Sequence, residues 1–314
     1  MLATLREISV PCFFTSYLVV LVLELLRLLG RVPGRGLAVI VMTGIGLFTH
    51  LCYLTLRAID GSSGADVGLL ATWSDWSYLL ALGLVVCFLV LYLRRPDTII
   101  SFFFLPAILA TIAMGVAVRN LEPFSRSEAV GVWGTVHGLA MMVGAGAVLF
   151  GFLAGVMYLV QSSRLKHKKA GSTLRLPTLE TLGRMNRRCL IVSTVAVAIG
   201  VLAGIVMNLN RSGQVGWTDG GVLFSTLLFL WLLGTTALEF FYEPASRGRK
   251  AVYLTLASLG FLILAMSSVL TGSHGTGTGT GTGETKDAAV SPVTTLMPSQ
   301  RSDNSGHLGS EVSA

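Results

Sequence analysis

Long apolar stretches alternate with short polar segments along most of this chain. A helix that crosses about 30 Å of hydrocarbon needs about 20 consecutive apolar residues, because each residue adds about 1.5 Å. Eight stretches have this length, at about 8–29, 37–57, 72–93, 98–118, 131–160, 189–208, 221–242 and 250–271. The pattern predicts an all-α fold, a polytopic membrane bundle of eight transmembrane helices.

The overall composition supports the same class of protein. Hydrophobic residues make up 53% of the chain, charged residues 12%, and the mean hydropathy is +0.72. A soluble domain could not hide so much apolar surface. We therefore expect an integral membrane protein.

Lys and Arg residues are concentrated after alternate stretches. Short loops that are rich in them resist translocation and stay in the cytoplasm. They follow stretches one, three, five and seven, and include Arg27, Arg31, Arg35, Arg94, Arg95, the run from Arg164 to Arg188, Arg247, Arg249 and Lys250. Both termini are therefore predicted to lie outside the cytoplasm. The net charge of +7 then marks the inner surface rather than a nucleic-acid site.

The composition changes abruptly after the eighth stretch. Gly-Thr repeats occupy residues 275–283, followed by a segment rich in Ser, Pro, Asp and Thr, and no other repeat is evident. Such a segment buries too little apolar surface to offset its chain entropy. We predict an eight-span membrane domain over residues 1–271 and a disordered extracytoplasmic tail over residues 272–314.

Motifs for several kinds of chemistry are missing from the sequence. It has no Walker motif, no HExxH, no GxSxG, and no CxxC among its four cysteines. Glu24 and Glu239 lie near the cytoplasmic ends of spans one and seven, where snorkelling or pairing of Glu24 with Arg27 is expected. A proton relay would need a chain of such groups across the bilayer, and these are isolated.

Two of the five histidines, His50 and His137, lie within predicted spans. His50 is in the outward half of span two, and His137 is one or two turns inside the outer end of span five, near Trp133. Polar groups are costly in lipid, so each needs a partner or a function. Each is either a neutral imidazole hydrogen-bonded to a neighbouring helix or an axial ligand of haem iron.

Tryptophan and aspartate residues cluster at the outer ends of two spans. They are Trp73, Asp75 and Trp76 in span three, and Trp217 with Asp219 at span seven. Interfacial tryptophans are typical of an aromatic belt. The same residues are also candidates for a platform that supports a flat macrocycle.

Five short motifs mark the region after residue 131. They are Trp133-Gly134-Thr135-Val136-His137, Tyr158-Leu159-Val160-Gln161, Arg164-Leu165-Lys166, Leu176-Pro177-Thr178-Leu179-Glu180-Thr181-Leu182 and Arg247-Gly248-Arg249-Lys250. With these motifs the chain resembles the cytochrome c assembly protein family, and most closely its shorter CcsA-like and HemX-like members. The resemblance covers about residues 37–274.

The resemblance implies a membrane component of cytochrome c biogenesis that binds haem and presents it at the outer face by histidine coordination. It implies His137 and His274 as outer ligands of the haem iron, with His50 as a further family-like histidine. Trp217 and Asp219 correspond to the family's tryptophan-rich haem motif, and Arg119 and Arg126 are candidates for the propionates. The implied partners are other cytochrome c maturation subunits, apocytochrome c and membrane lipid. The implied location is the plasma (inner) membrane of a bacterium.

Two departures from the family pattern support an alternative. Trp217-Thr218-Asp219 lacks the flanking tryptophans, and span seven offers Glu239 where a further histidine is expected. The alternative is a HemX-like scaffold or regulator of an assembly or tetrapyrrole pathway that binds no haem. The chain has no catalytic motif of its own, so the resemblance implies at most a part in a holocytochrome c synthase system.

Overall fold

A computed structural model describes residues 9–30, 34–62, 70, 72–94, 99–121, 131–166, 176–213, 220–241 and 248–271. All of them belong to a compact unit, Met1–His274. A second unit, Gly275–Ala314, contains most of the predicted tail and lies outside the described residues.

The part of the chain that the structure describes folds as eight α-helices without strands, which confirms the all-α prediction for these residues. The helices are α1 Val10–Leu29, α2 Arg35–Ser62, α3 Trp73–Arg94, α4 Ser101–Ala117, α5 Val132–Lys166, α6 Leu179–Ser212, α7 Gly220–Phe241 and α8 Gly248–Thr271. Six of them are long and apolar enough to cross a membrane. The apolar parts of the other two, α4 and α8, are shorter, at Ser101–Ala117 and Val252–Leu264. The count of eight spans and the side of each terminus stay predictions.

The helices pack in two groups of four. In the first, α1 packs against α2 and α4, and α3 packs against the same two helices. In the second, α5 packs against α6 and α8, and α7 packs against the same two helices. Contacts from α5 to α3 and α4 join the groups. The larger apolar core fills the first group and reaches α5 and α6, and a smaller one lies within the second.

The first group contains the same packing unit twice. In the α1–α2 hairpin the ring of Tyr17 covers Gly46, where a Cβ atom would lie 2.6 Å from the ring. In the α3–α4 hairpin Tyr78 covers Gly115, again with 2.6 Å between a Cβ atom and the ring. Small residues let membrane helices approach closely. This repeated hairpin was not recognised from the sequence.

The amphipathic segment 176–182 leads directly into α6. Pro177 precedes the helix, and the Thr178 side chain caps it by accepting a hydrogen bond of 3.3 Å from a first-turn backbone N–H. Leu182 is fully buried in the core. The helix therefore begins at Leu179 rather than at residue 189. The predicted span was located by its apolar residues alone. The first turns of α6 are stabilised as a helix by the Thr178 cap and by packing of Leu182, but they contain too many polar residues to be recognised as part of a span.

Candidate functional site

His137 lies in the second turn of α5, and its ring points toward α6. The Nδ1 atom is 2.7 Å from the carbonyl oxygen of Gly200. A carbonyl oxygen only accepts, so Nδ1 donates, and in the neutral imidazole Nε2 then carries no proton. Metal-bound histidines are held in this way, with the other nitrogen donating to a carbonyl or carboxylate. His137 is half-buried, and its tautomer leaves Nε2 suited to bind iron.

Two glycines of α6, four residues apart, make room for this arrangement. A Cβ atom on Gly204 would lie 2.9 Å from His137 Nδ1 and 3.1 Å from Cε1. A Cβ atom on Gly200 would lie 2.8 Å from the Met141 sulfur. Pairs of small residues at this spacing bring membrane helices together. The sequence analysis missed both glycines, although their four-residue spacing was the available signal.

Two tryptophans lie at the same end of α5. The Trp76 ring of α3 packs against Gly138, where a Cβ atom would lie 2.5 Å from it, and its indole N–H donates to the Leu70 carbonyl at 3.0 Å. Trp133 is four residues before His137, so the two share one face of the helix. Trp133 is 46% exposed. An exposed indole therefore lies one turn from His137, toward the start of α5.

Asp75 lies in a buried ion pair. Its side chain is fully buried, and it accepts a hydrogen bond from Nε of Arg57 in α2. The Thr72 hydroxyl accepts from the Asp75 backbone N–H at 3.2 Å, which caps the start of α3. The Asp75 carboxylate is therefore engaged in a buried ion pair, and the aromatic platform at α3 is limited to its tryptophans.

His50 lies in a closed aromatic environment. It is fully buried, and its ring stacks on Phe13 with centroids 4.1 Å apart and planes 1° from parallel. Nδ1 is 3.4 Å from the Tyr17 hydroxyl oxygen. Within the described residues Nε2 has no hydrogen-bond partner. His50 is therefore enclosed by protein in this packing, whereas His137 is only half-buried.

The predicted site residues are not all brought together by the described part of the chain. His137 lies at the α5–α6 contact, whereas His50 lies among aromatic residues of α1 and α2. Arg119 is exposed on the turn after α4. The remaining candidates lie outside the described residues: His274, Trp217, Asp219 and Arg126. Among the described residues no three His, Cys, Asp or Glu side chains form a metal-binding group. Haem iron needs only one or two protein ligands.

Comparison with known proteins identifies a family for most of the chain. Residues 70–276 match the family model described as Cytochrome C assembly protein. The match includes α3 to α8 and His137, and it begins after α2, so His50 precedes it. No curated protein and no solved structure matches the chain.

Proposed function

Because the chain belongs to the cytochrome c assembly protein family, we propose that it binds haem and delivers it at the outer membrane face. Membership itself gives a role in cytochrome c biogenesis, and the six long apolar helices agree with an integral membrane protein. The finer proposal is that haem is the cargo and that His137 ligates its iron. The hydrogen bond from His137 Nδ1 to the Gly200 carbonyl is the observation that carries it.

His137 meets the chemical requirements of an axial ligand. A neutral imidazole with one nitrogen held by a carbonyl presents the other nitrogen in a fixed direction and with raised basicity. Gly200 and Gly204 have no side chains, so the His137 ring can pack directly against α6. Trp133 is exposed on the same helix face, and we propose that its indole lies against the porphyrin. We propose ligand capture without redox chemistry, with Nε2 of His137 as the donor.

His274 is the proposed second ligand. It follows α8, which ends at Thr271. Under the predicted topology the end of α8 and the start of α5 lie on the same face of the membrane. Two histidines at that face could then bind opposite sides of one iron. Trp217 and Asp219, which precede α7 on that face, are proposed to complete the haem surface.

Arginine is the side chain best suited to the haem propionates, because its guanidinium matches a carboxylate in shape and charge. Arg119 is exposed at the end of α4, the predicted outer end. Arg126 belongs to the segment between α4 and α5. We propose these two residues as propionate partners.

The proposed setting is the plasma membrane of a bacterium. A carrier without a catalytic motif of its own must hand its cargo to other components. We therefore propose that the protein works with other cytochrome c maturation subunits and presents haem to apocytochrome c. In this role it contributes to a holocytochrome c synthase system by binding haem and positioning it for the other components.

The test is the absorption spectrum of the detergent-purified protein after expression with ample haem. We expect a Soret band in the wild type and loss of most of it in His137→Ala, because the anchored ligand is removed. His307→Ala removes a tail histidine and serves as the matched control, with an unchanged band. A His137→Ala protein that keeps the full band would contradict the proposal.

A second candidate function is a membrane scaffold or regulator that binds no haem. It is favoured by the closed environment of His50, and by Glu239 in α7, the span in which the resemblance leads us to expect a further histidine. Under this alternative a folded wild-type protein shows no Soret band even with ample haem. The same spectrum therefore distinguishes the two functions.

A further inference from the structure

A buried ion pair lies at one end of the group formed by α1, α2 and α3. Glu24, near the end of α1, is fully buried and accepts a hydrogen bond from Arg35, the first residue of α2. Arg27 lies 4.0 Å from the second carboxylate oxygen. The Tyr92 hydroxyl, near the end of α3, donates to Glu24 at 3.4 Å. One carboxylate thus ties three helices together.

The opposite end of the same three helices has its own ion pair. Arg57 lies in the last turns of α2, and Asp75 lies in the first turn of α3. Asp75 is fully buried, whereas the Arg57 side chain is 34% exposed. The three-helix group therefore has a buried carboxylate and an arginine at each end.

Between the two pairs, polar residues repeat along one face of α2. Thr43, His50 and Arg57 are seven residues apart, which is two helical turns or about 10.5 Å for each step. Thr43 and His50 are fully buried. The neighbouring residues Val41 and Phe48 are 49% and 62% exposed, so another face of α2 points away from the bundle. We call Glu24, Thr43, His50 and Asp75 the polar row.

Each member of the polar row has a buried polar atom without a hydrogen bond among the described residues, although Glu24 Oε2 also lies 4.0 Å from Arg27 in an ion pair. Glu24 Oε2, Thr43 Oγ1, His50 Nε2 and Asp75 Oδ2 are buried and have no hydrogen-bond partner in the part of the chain that the structure describes. Buried polar atoms in native proteins are nearly always hydrogen-bonded, to protein or to ordered water. Lipid tails cannot supply such bonds. Four such atoms within one three-helix group need a common explanation.

We propose that bound water molecules occupy the polar row and form a hydrated path through α1, α2 and α3 between the two ion pairs. A chain of a few waters at a hydrogen-bond spacing of about 2.8 Å would span each step of about 10.5 Å along α2. The Tyr17 hydroxyl, 3.4 Å from His50 Nδ1, adds a polar group between Thr43 and His50. The path is separate from the proposed haem site. Three of its four members precede residue 70, where the family match begins.

Cysteine accessibility tests this path. In a chain whose four native cysteines are replaced by serine, Thr43→Cys places a thiol in the row. Val41→Cys places a matched thiol two residues away, on the exposed face of α2. A small charged methanethiosulfonate reagent reacts with the ionised thiol, which needs water nearby. We expect Thr43→Cys to react at least roughly tenfold faster than Val41→Cys in lipid nanodiscs. Equal rates, or a slower reaction at Thr43→Cys, would overturn the proposal.

A second measurement is made on the wild-type protein, and a substitution in the row serves only to assign the signal. Solid-state NMR of the wild-type protein with labelled histidine can follow magnetisation transfer from water to the imidazole nitrogens. The His50 signal is assigned by its loss in His50→Asn. We expect transfer to His50 despite its complete burial by protein. A His50 signal without transfer, beside a tail histidine signal that shows it, would refute a hydrated row even if Thr43→Cys did not fold.

Discussion

At the scale of single residues, the hydrogen bond of His137 connects the two interpretations that the sequence left open. A histidine bonded to a neighbouring helix and a histidine that ligates iron are compatible, because the ring has two nitrogens. The Gly200 carbonyl accepts a hydrogen bond from Nδ1, and Nε2 then carries no proton and can act as a ligand. The sequence could locate His137 but not its partner, since the partner lies on another helix, 63 residues further along the chain.

Gly204→Ala tests whether this hydrogen bond positions the ligand. The added methyl group would lie 2.9 Å from Nδ1, so the ring must move away from the Gly200 carbonyl. We expect a weaker Soret band and an overpacking cost of about 1–3 kcal/mol in the free energy of unfolding. The matched control on the same helix is Gly183→Ala, which meets nothing within 4 Å. Full haem retention in Gly204→Ala would show that the ring position does not matter.

At the scale of helices, local pattern and tertiary pairing differ in how well the sequence reveals them. The apolar runs located all eight described helices, because length and hydropathy are local properties. The pairing of Tyr17 with Gly46, or of Asp75 with Arg57, depends on which helices become neighbours. No pattern within one helix encodes this, so the repeated hairpin and the pairs Glu24–Arg35 and Asp75–Arg57 emerged only from the structure. The contact of Glu24 with Arg27 lies within α1 and was predicted from the sequence.

The repeated hairpin makes a paired prediction. Gly46→Ala and Gly115→Ala would each place a methyl group 2.6 Å from a tyrosine ring, so both should lower the thermal midpoint. We expect a cost of about 1–3 kcal/mol in each case, as is typical of overpacking. Gly44→Ala and Gly83→Ala, which meet nothing within 4 Å, are the controls and should have little effect. A large difference between Gly46→Ala and Gly115→Ala would show that the two hairpins are not equivalent.

The ion pair between α1 and α2 should contribute more to the free energy of unfolding than an ion pair on the surface. Glu24 is fully buried, so Glu24→Ala leaves the charge of Arg35 without its partner. We expect a loss of about 3 kcal/mol or more in the free energy of unfolding. Glu180→Ala breaks the exposed pair with Arg184, whose atoms are 3.7 Å apart, and should cost less than about 1 kcal/mol. Thermal unfolding in detergent measures both losses of stability. Similar losses in the two variants would contradict a special role for the buried pair.

At the scale of the whole molecule, the two helix groups have different chemistry. The first contains the polar row and both ion pairs between its helices. The second contains the His137 site, where α5 meets α6 through glycines. Trp76 of α3, packed on Gly138, is a direct contact between the group with the polar row and the turn that contains His137. This indole therefore offers one route by which a change in the packing of α3 would affect the proposed haem site.

The topology of the chain decides whether His274 can share an iron with His137. Eight crossings put both termini outside the cytoplasm, and this requires the two shorter apolar helices, α4 and α8, to cross as well. In a cysteine-free chain, we expect Ser305→Cys in the tail to react with an impermeant thiol reagent in intact cells. Ser172→Cys, in the basic loop before α6, should react only after permeabilisation. Labelling of the tail only after permeabilisation would mean that α8 does not cross or that the orientation is reversed. If α8 alone fails to cross, His274 lies on the opposite face from His137 and drops out of the proposed site, whereas the case for His137, which rests on α5 and α6, is unchanged.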